Sequence, residues 1–187
     1  MDFDKVIKTR TSLKKYSNKK VPMDKVMSAI EAAVLAPSPG NLSILKFLII
    51  EDEDKKEKIA QACQQEFVST APVIIIVCSE PKKIEIMYDK RKDRYIKHHV
   101  GAVVENFLLK ITDMNLASCW VGAFSTPTIK TALKIPDDVN VEVVLPIAYP
   151  SKIDKTKQKP KPELDKVIYF ETWKNNYKKE VRKIGGH

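Results

Sequence analysis

An α+β fold, with helices around a central, mostly antiparallel sheet, is what this chain predicts, and three observations carry that expectation. Val73 to Cys78 is an unbroken apolar run rich in β-branched side chains, and a strand without polar alternation belongs at the centre of a sheet covered on both faces. Apolar residues recur at helical spacing in two stretches, Val26, Ile30, Ala33, Val34 and Val100, Val103, Phe107, Ile111, Met114, which predicts helices with one buried face. The strands do not alternate strictly with helices, no GxGxxG follows any of them, and the chain has only 5 glycines. A parallel dinucleotide-binding sheet is therefore not expected.

The remaining elements follow in order. Phe3, Val6 and Ile7 form the stripe of a short first helix ending at Thr9–Arg10. The second helix has Asp24 near its start and is closed by Pro37, since proline disfavours helical backbone before it. Lys46 to Ile50 predicts a strand and Asp54 to Gln64 a helix of mixed charge. Gly101 and Ala102 thin one face of the long helix, leaving room for another backbone. Ala117 to Val121 predicts a second central strand and Val141 to Ala148 a third. Between them Thr126-Pro127 predicts a helix start, with a hydroxyl N-cap and proline at the first helical position. After a Lys/Pro-rich linker, Val167, Ile168, Tyr169, Phe170 and Trp173 make an apolar cluster, which predicts a docked segment.

At 187 residues the chain is read as one domain, residues 1–187, with 43% hydrophobic residues and no repeats. Its longest purely apolar run is too short to cross a bilayer, and its acidic start, Met1-Asp2-Phe3-Asp4, lacks the apolar stretch of a signal peptide. A cytoplasmic protein without membrane partners is expected. Cys63, Cys78 and Cys119 are widely scattered and form no CxxC pair, so Cys78 and Cys119 are read as small core residues. His98 and His99 are adjacent and diverge on a helix, and no metal is expected. The net charge of +9 collects around 82–99, 152–161 and 174–183 without interleaved aromatics or a nucleic-acid-binding motif. Surface lysines mixed with acids favour solubility over nucleic-acid recognition.

Two segments carry chemistry. Arg10-Thr11-Ser12-Leu13-Lys14-Lys15-Tyr16 packs two aliphatic hydroxyls and three cations into seven residues. A guanidinium fork, hydroxyls and a lysine charge are the donors that grip a phosphate. Ala36-Pro37-Ser38-Pro39-Gly40-Asn41 is a rigid turn offering a hydroxyl and an amide to a polar, uncharged group. Together they suit a ligand with a phosphate at one end and a hydrogen-bonding ring at the other.

In this order and separation the two segments resemble the nitroreductase family of FMN-dependent oxidoreductases, which opens with Arg-Arg-Ser-x-Arg-x-Phe/Tyr and continues with Ala-Pro-Ser-x-x-Asn. Thr11 and Lys14 stand in place of two of the family's arginines. Cys119-Trp120-Val121-Gly122-Ala123-Phe124 is similar to its Trp-Ile-Gly-Ala-Phe strand end, and Lys161-Pro162 with Tyr169 and Trp173 to its C-terminal segment.

The resemblance implies FMN as cofactor, NAD(P)H as co-substrate and a small-molecule electron acceptor. It also implies an intertwined homodimer in which residues 160–187 pack on the partner subunit and flavin lies at the interface. Carried over by position, Arg10, Thr11 and Ser12 serve the phosphate or ribityl end, and Lys14 the N1/O2 edge of the ring. Pro37, Ser38, Pro39 and Asn41 approach from the other subunit, and Gly122 and Ala123 offer backbone N–H groups near N5. Gln65 contacts the pyrimidine edge, while Lys159 and Lys161 are candidates to complete the phosphate site. Residues 79–97 correspond to the family's variable lid, read either as a solvated loop or as a segment that shapes substrate choice. His99 stands where the family often has Asp, and no role is assigned to it. Two other readings stay open: a flavin carrier or regulator without turnover, and a nucleic-acid-binding domain.

Overall fold

All seven residues of β3 (Val73–Ser79) are buried, and its place in the sheet explains why. The computed structural model describes residues 1–152 and 160–175. In it β3 pairs antiparallel with β2 (Leu45–Ile50) on one side and β5 (Asn140–Pro150) on the other. The strand order is β1-β5-β3-β2, with β1 (Tyr16–Ser17) and β4 (Ala117–Ser118) both pairing antiparallel with β5. Successive side chains of a strand point to opposite faces. Ile75, Val77, Leu145 and Ile147 therefore meet α2 (Met23–Val34) and α5 (Lys92–Asp113). Ile74, Ile76, Cys78 and Val144 meet α3 (Glu53–Cys63) and α6 (Thr126–Leu133).

The register shifts between Val77↔Val143 and Cys78↔Val141, leaving Glu142 as the extra residue of a β-bulge. Its side chain is 2% exposed, accepts a hydrogen bond from Ser79 Oγ at 2.6 Å, and pairs with Lys97 of α5. A buried carboxylate needs such partners.

The helices end where local chemistry dictates. Asp52 caps α3 by accepting from the Lys55 N–H at 3.0 Å, and Gln64 closes it in the left-handed region at φ 53°. α6 begins one residue earlier than expected: Ser125 is the N-cap, with Thr126 and Pro127 inside the first turn. Both positions carry hydroxyls, and only the backbone geometry distinguishes them. The expected strand Ala117–Val121 shrinks to Ala117–Ser118, with a separate bridge between Val121 and Val144. It pairs with β5 alone and is not central, because the chain bends away at Cys119 and Trp120.

Residues 79–97 are largely helical. α4 (Lys82–Tyr88) and a single 3₁₀ turn at Asp89–Arg91 lead into α5, which starts at Lys92. The solvated-loop expectation is thus corrected: Ile84 is buried, and the rings of Tyr88 and Tyr95 lie 4.4 Å apart. The close backbone approach expected at Gly101 is not made within the described residues, since a Cβ there would meet nothing within 4 Å.

Backbone contacts divide the chain into Met1–Thr156 and Lys157–His187. In the second unit the rings of Tyr169 and Trp173 meet edge to face at 4.9 Å, and Trp173 is 81% exposed. No helix among the described residues is long and apolar enough to cross a membrane.

Candidate functional site

Three separate stretches of the first unit meet at one place. The Leu13 N–H donates to the Ser118 carbonyl at 3.1 Å, tying the segment after α1 (Phe3–Thr9) to β4. The Ser125 N–H donates to the Ala62 carbonyl at 2.8 Å, tying the loop after Val121 to the end of α3. Lys14 closes the group: its Nζ donates to Gln65 Oε1 at 3.0 Å and lies 4.8 Å from the centre of the Phe67 ring. The Phe67 face attracts the ammonium electrostatically and also packs against Tyr16. Gly122 and Ala123 are exposed, and among the described residues neither N–H donates a backbone hydrogen bond. Two backbone donors thus have no acceptor among the described residues, on the loop that the Ser125 N–H ties to the end of α3.

Arg10 is partly buried and pairs with Glu105 of α5 at 3.5 Å. Ser12 lies within hydrogen-bonding reach of the Cys119 thiol. Burial pushes that thiol up, opposed by the Lys14 charge and by the Ser12 hydrogen bond. Thr11 is half-buried. Burial lifts Cys63 to about 11 and, with a contribution from Glu142, Cys78 to about 11. All three thiols are free and buried. In the folded protein, Cys63 and Cys78 should therefore react with iodoacetamide at pH 8 roughly two orders of magnitude more slowly than an exposed cysteine, since the thiolate is the nucleophile. Mass spectrometry of native and urea-unfolded protein checks this, and rapid native labelling would contradict the burial.

A second group forms around the turn after α2. Pro39, Gly40 and Asn41 make one 3₁₀ turn, with Gly40 at φ 59° and Asn41 at φ 55°. A Cβ on Gly40 would sit 3.0 Å from Met87 Cε and 3.3 Å from Tyr88 Oη. Glycine is needed here both for the left-handed backbone and for the contact with α4. The Asn41 N–H donates to the Ser38 carbonyl at 3.2 Å, so the turn itself holds these two residues together. Ser38 and Asn41 line a cavity that His99 also borders, while Pro37 is exposed beside them.

The structure brings Ser12, Lys14, Gln65, Gly122 and Ala123 into one neighbourhood, and Pro37, Ser38, Pro39 and Asn41 into another. No hydrogen bond, ion pair or ring contact among the described residues links the two groups. Lys161 belongs to the second unit, where it is exposed, and Lys159 lies outside the described residues. Sequence reasoning passed over Phe67 and Met87 and left His99 without a role. Nothing in local sequence pointed to the contacts of Phe67 with Lys14 or of Met87 with Gly40.

Comparison with known proteins agrees with the fold. The Nitroreductase family model matches residues 7–70 and 60–149. A relative from Archaeoglobus fulgidus, carrying the name NADH dehydrogenase/NAD(P)H nitroreductase, is 28% identical over 78% of this chain and 84% of its own length. The iodotyrosine deiodinase of Thermotoga neapolitana is 23% identical over 89% of this chain and 96% of its own length. A nitroreductase family protein from Clostridium novyi NT superposes with a TM-score of 0.75 at 29% identity, over 97% of this chain and 100% of that one. The NADPH:FMN oxidoreductase of Vibrio harveyi gives 0.83 at 18% identity, over 92% and 78%. With the matched segments running from the end of α1 to the end of β5, the chain belongs to the nitroreductase family, and its general chemistry is flavin-dependent oxidoreduction.

Proposed function

We propose that the protein is an NAD(P)H-dependent oxidoreductase that holds FMN between two copies of the chain and reduces a nitroaromatic, quinone or similar small acceptor. The observation that carries this reading is the convergence of Lys14, Gln65 and the open Gly122 and Ala123 N–H groups. That donor set fits the acceptor-rich edge of an isoalloxazine ring, and Arg10 with Ser12 supplies donors suited to the phosphate dianion. When bound, FMN supplies hydride exchange at N5. Lys14 places a fixed cation where negative charge develops on reduction. Gly122 and Ala123 point backbone dipoles at the same edge, and their small size leaves the opposite face accessible.

Pro37, Ser38, Pro39 and Asn41 complete the site from the partner copy in this reading. Two half-sites without mutual contacts on one chain support it, as do the exposed Phe3, Ile7, Val34 and Leu35 on α1 and the end of α2. Leu35 is 83% exposed, and a cluster of this kind marks an association surface. In the same reading the C-terminal segment, with exposed Val167 and Trp173, packs on that partner, and Lys161 is its candidate for the phosphate; Lys159 and residues 176–187 lie outside the described residues.

Purified protein should be yellow, and either NADH or NADPH should bleach it anaerobically. Colourless protein whose nucleic-acid affinity falls steeply with salt would leave the nucleic-acid reading standing. Yellow protein that neither nicotinamide bleaches would leave the carrier reading. Because donor and acceptor share one open face, initial rates should give parallel double-reciprocal lines. Intersecting lines would require a ternary complex. The match to the deiodinase along nearly its whole length motivates an iodotyrosine as a second acceptor class, and iodide release under the same conditions reads it out.

A further inference from the structure

Residues 79–97 carry seven lysines and arginines, and these fall into two sets. Lys82 pairs with Asp138, Lys83 with Glu80, Lys92 with Glu85 and Lys97 with Glu142. Lys90, Arg91 and Arg94 are exposed and make no hydrogen bond, ion pair or ring contact with any described residue. Acids stand close by in sequence, yet they serve another partner. Glu85, with smaller contributions from Asp93 and Asp89, raises the proton affinity of Lys92. Neither aspartate forms an ion pair with Lys90, Arg91 or Arg94.

The unpaired set is chemically distinct from the paired one. The chain has only four arginines among its 33 cationic residues, and two of them stand here three positions apart. The backbone runs from the 3₁₀ turn Asp89–Arg91 straight into α5, and residues three apart are neighbours on a helical surface. Lysines paired with acids favour solubility, whereas two adjacent guanidiniums offer planar forks that match a phosphate. Tyr88 and Tyr95 flank them, with ring centres 4.4 Å apart. Both rings pack on the core and are only half-buried. Aromatic surface beside unpaired guanidiniums suits a purine that carries a phosphate.

The patch also has a defined place relative to the site. Met87 Cε and Tyr88 Oη lie 3.0 and 3.3 Å from the point that a Cβ on Gly40 would occupy. The end of α4 therefore rests on the turn that carries Ser38 and Asn41, and Lys90, Arg91 and Arg94 follow just beyond it. In a reduced nicotinamide dinucleotide the nicotinamide and the adenosine lie at opposite ends. A nicotinamide over the flavin thus leaves its adenosine end for the rim.

From these observations we infer that Arg91 and Arg94, with Lys90, bind the 2′-phosphate of NADPH, that Tyr88 and Tyr95 give its adenine a surface, and that the protein prefers NADPH to NADH. This rests on the reading that Ser38 and Asn41 lie against the partner copy's flavin. The 2′-phosphate is the one group that NADH lacks, so these residues discriminate between the two donors and take no part in hydride transfer.

The test is steady-state turnover of the FMN-loaded full-length protein with a quinone as acceptor. Wild type should show kcat/KM for NADPH at least roughly tenfold above that for NADH, the scale of a charge-assisted phosphate contact. Replacing both arginines, Arg91→Ala with Arg94→Ala, should raise KM for NADPH roughly tenfold and leave KM for NADH and both kcat values within about twofold. Arg94→Lys, which keeps the charge and loses the fork, should fall between the two. Binding is read without turnover of the probe by inhibition against NADPH: adenosine 2′,5′-bisphosphate should compete with it at least roughly tenfold better than adenosine 5′-monophosphate, and the double variant should erase that difference. The substituted side chains are exposed, and thermal melts check that the variants are folded.

A wild type that uses both donors equally, or prefers NADH, overturns the inference. So does an equal rise in KM for NADPH and NADH in the double variant, which reports general attraction of anions. A wild type whose flavin neither donor reduces overturns the functional reading instead. The two failures are distinguishable, because only in the first does turnover continue.

Discussion

Lys14→Met should lower the reduction potential of bound FMN while leaving most of the cofactor in place. The Lys14 ammonium lies against Gln65 and above Phe67, on the same patch as the open Gly122 and Ala123 N–H groups. In the proposed site it faces the ring and favours the charge that accompanies reduction. A hydrogen bond to a charged group contributes roughly 1.5–3 kcal/mol, equivalent for a two-electron couple to roughly 30–65 mV. Methionine keeps much of the aliphatic length over Phe67, so packing is largely preserved. Arg10→Ala is the contrasting variant: in the proposed site its guanidinium serves the phosphate, and its loss should weaken FMN binding with little change in potential. Redox titration against dyes of known potential, run beside FMN binding curves, separates the two. An unchanged potential with markedly weaker binding in Lys14→Met would mean that Lys14 holds the phosphate instead.

Phe107→Ala should destabilise the protein more than any surface change discussed above. Phe107 is fully buried on α5 among α2 and the β3–β5 face. Truncating a buried Phe removes its transfer free energy and leaves a cavity, together about 3–5 kcal/mol. For a chain of this size that corresponds to a fall in Tm of roughly 6–20 °C. Phe107→Leu, which refills most of the volume, should cost about 1.5 kcal/mol or less. The consequence reaches the site, because α5 also carries His99 and Glu105, the ion-pair partner of Arg10. Calorimetry of the two variants checks the order, and a Tm drop in Phe107→Ala no larger than in Phe107→Leu would contradict the packing described here.

Much of the fold was legible because burial leaves a local signature. A strand covered on both faces, such as β3, is apolar along most of its length, here Val73 to Cys78, and that run is visible without any partner strand. The period of Val100, Val103, Phe107 and Ile111 likewise records which face of α5 is buried. Where the signal was shared between neighbours it failed at the level of one residue: Ser125 and Thr126 can both cap a helix, and the backbone chose Ser125. α4 was obscured because most of its side chains are charged or exposed and only Ile84 is buried. The extent of β4 could not be read, since an apolar run does not record where its partner strand turns away.

The chain by itself determined its layers, its family motifs and residue types whose chemistry suits a phosphate and a hydrogen-bonding ring. All of these are encoded in local spacing and chemistry. The tertiary structure alone decided which of those residues meet. Lys14 and Gln65 are 51 positions apart and touch only because Leu13 pairs with Ser118 while α3 returns its end to the same place. The same folding left Ser38 and Asn41 in a separate group, lining a cavity with His99. Long-range contacts of this kind depend on the register and bulges of the sheet, which are set by many weak packing terms at once and leave no local trace.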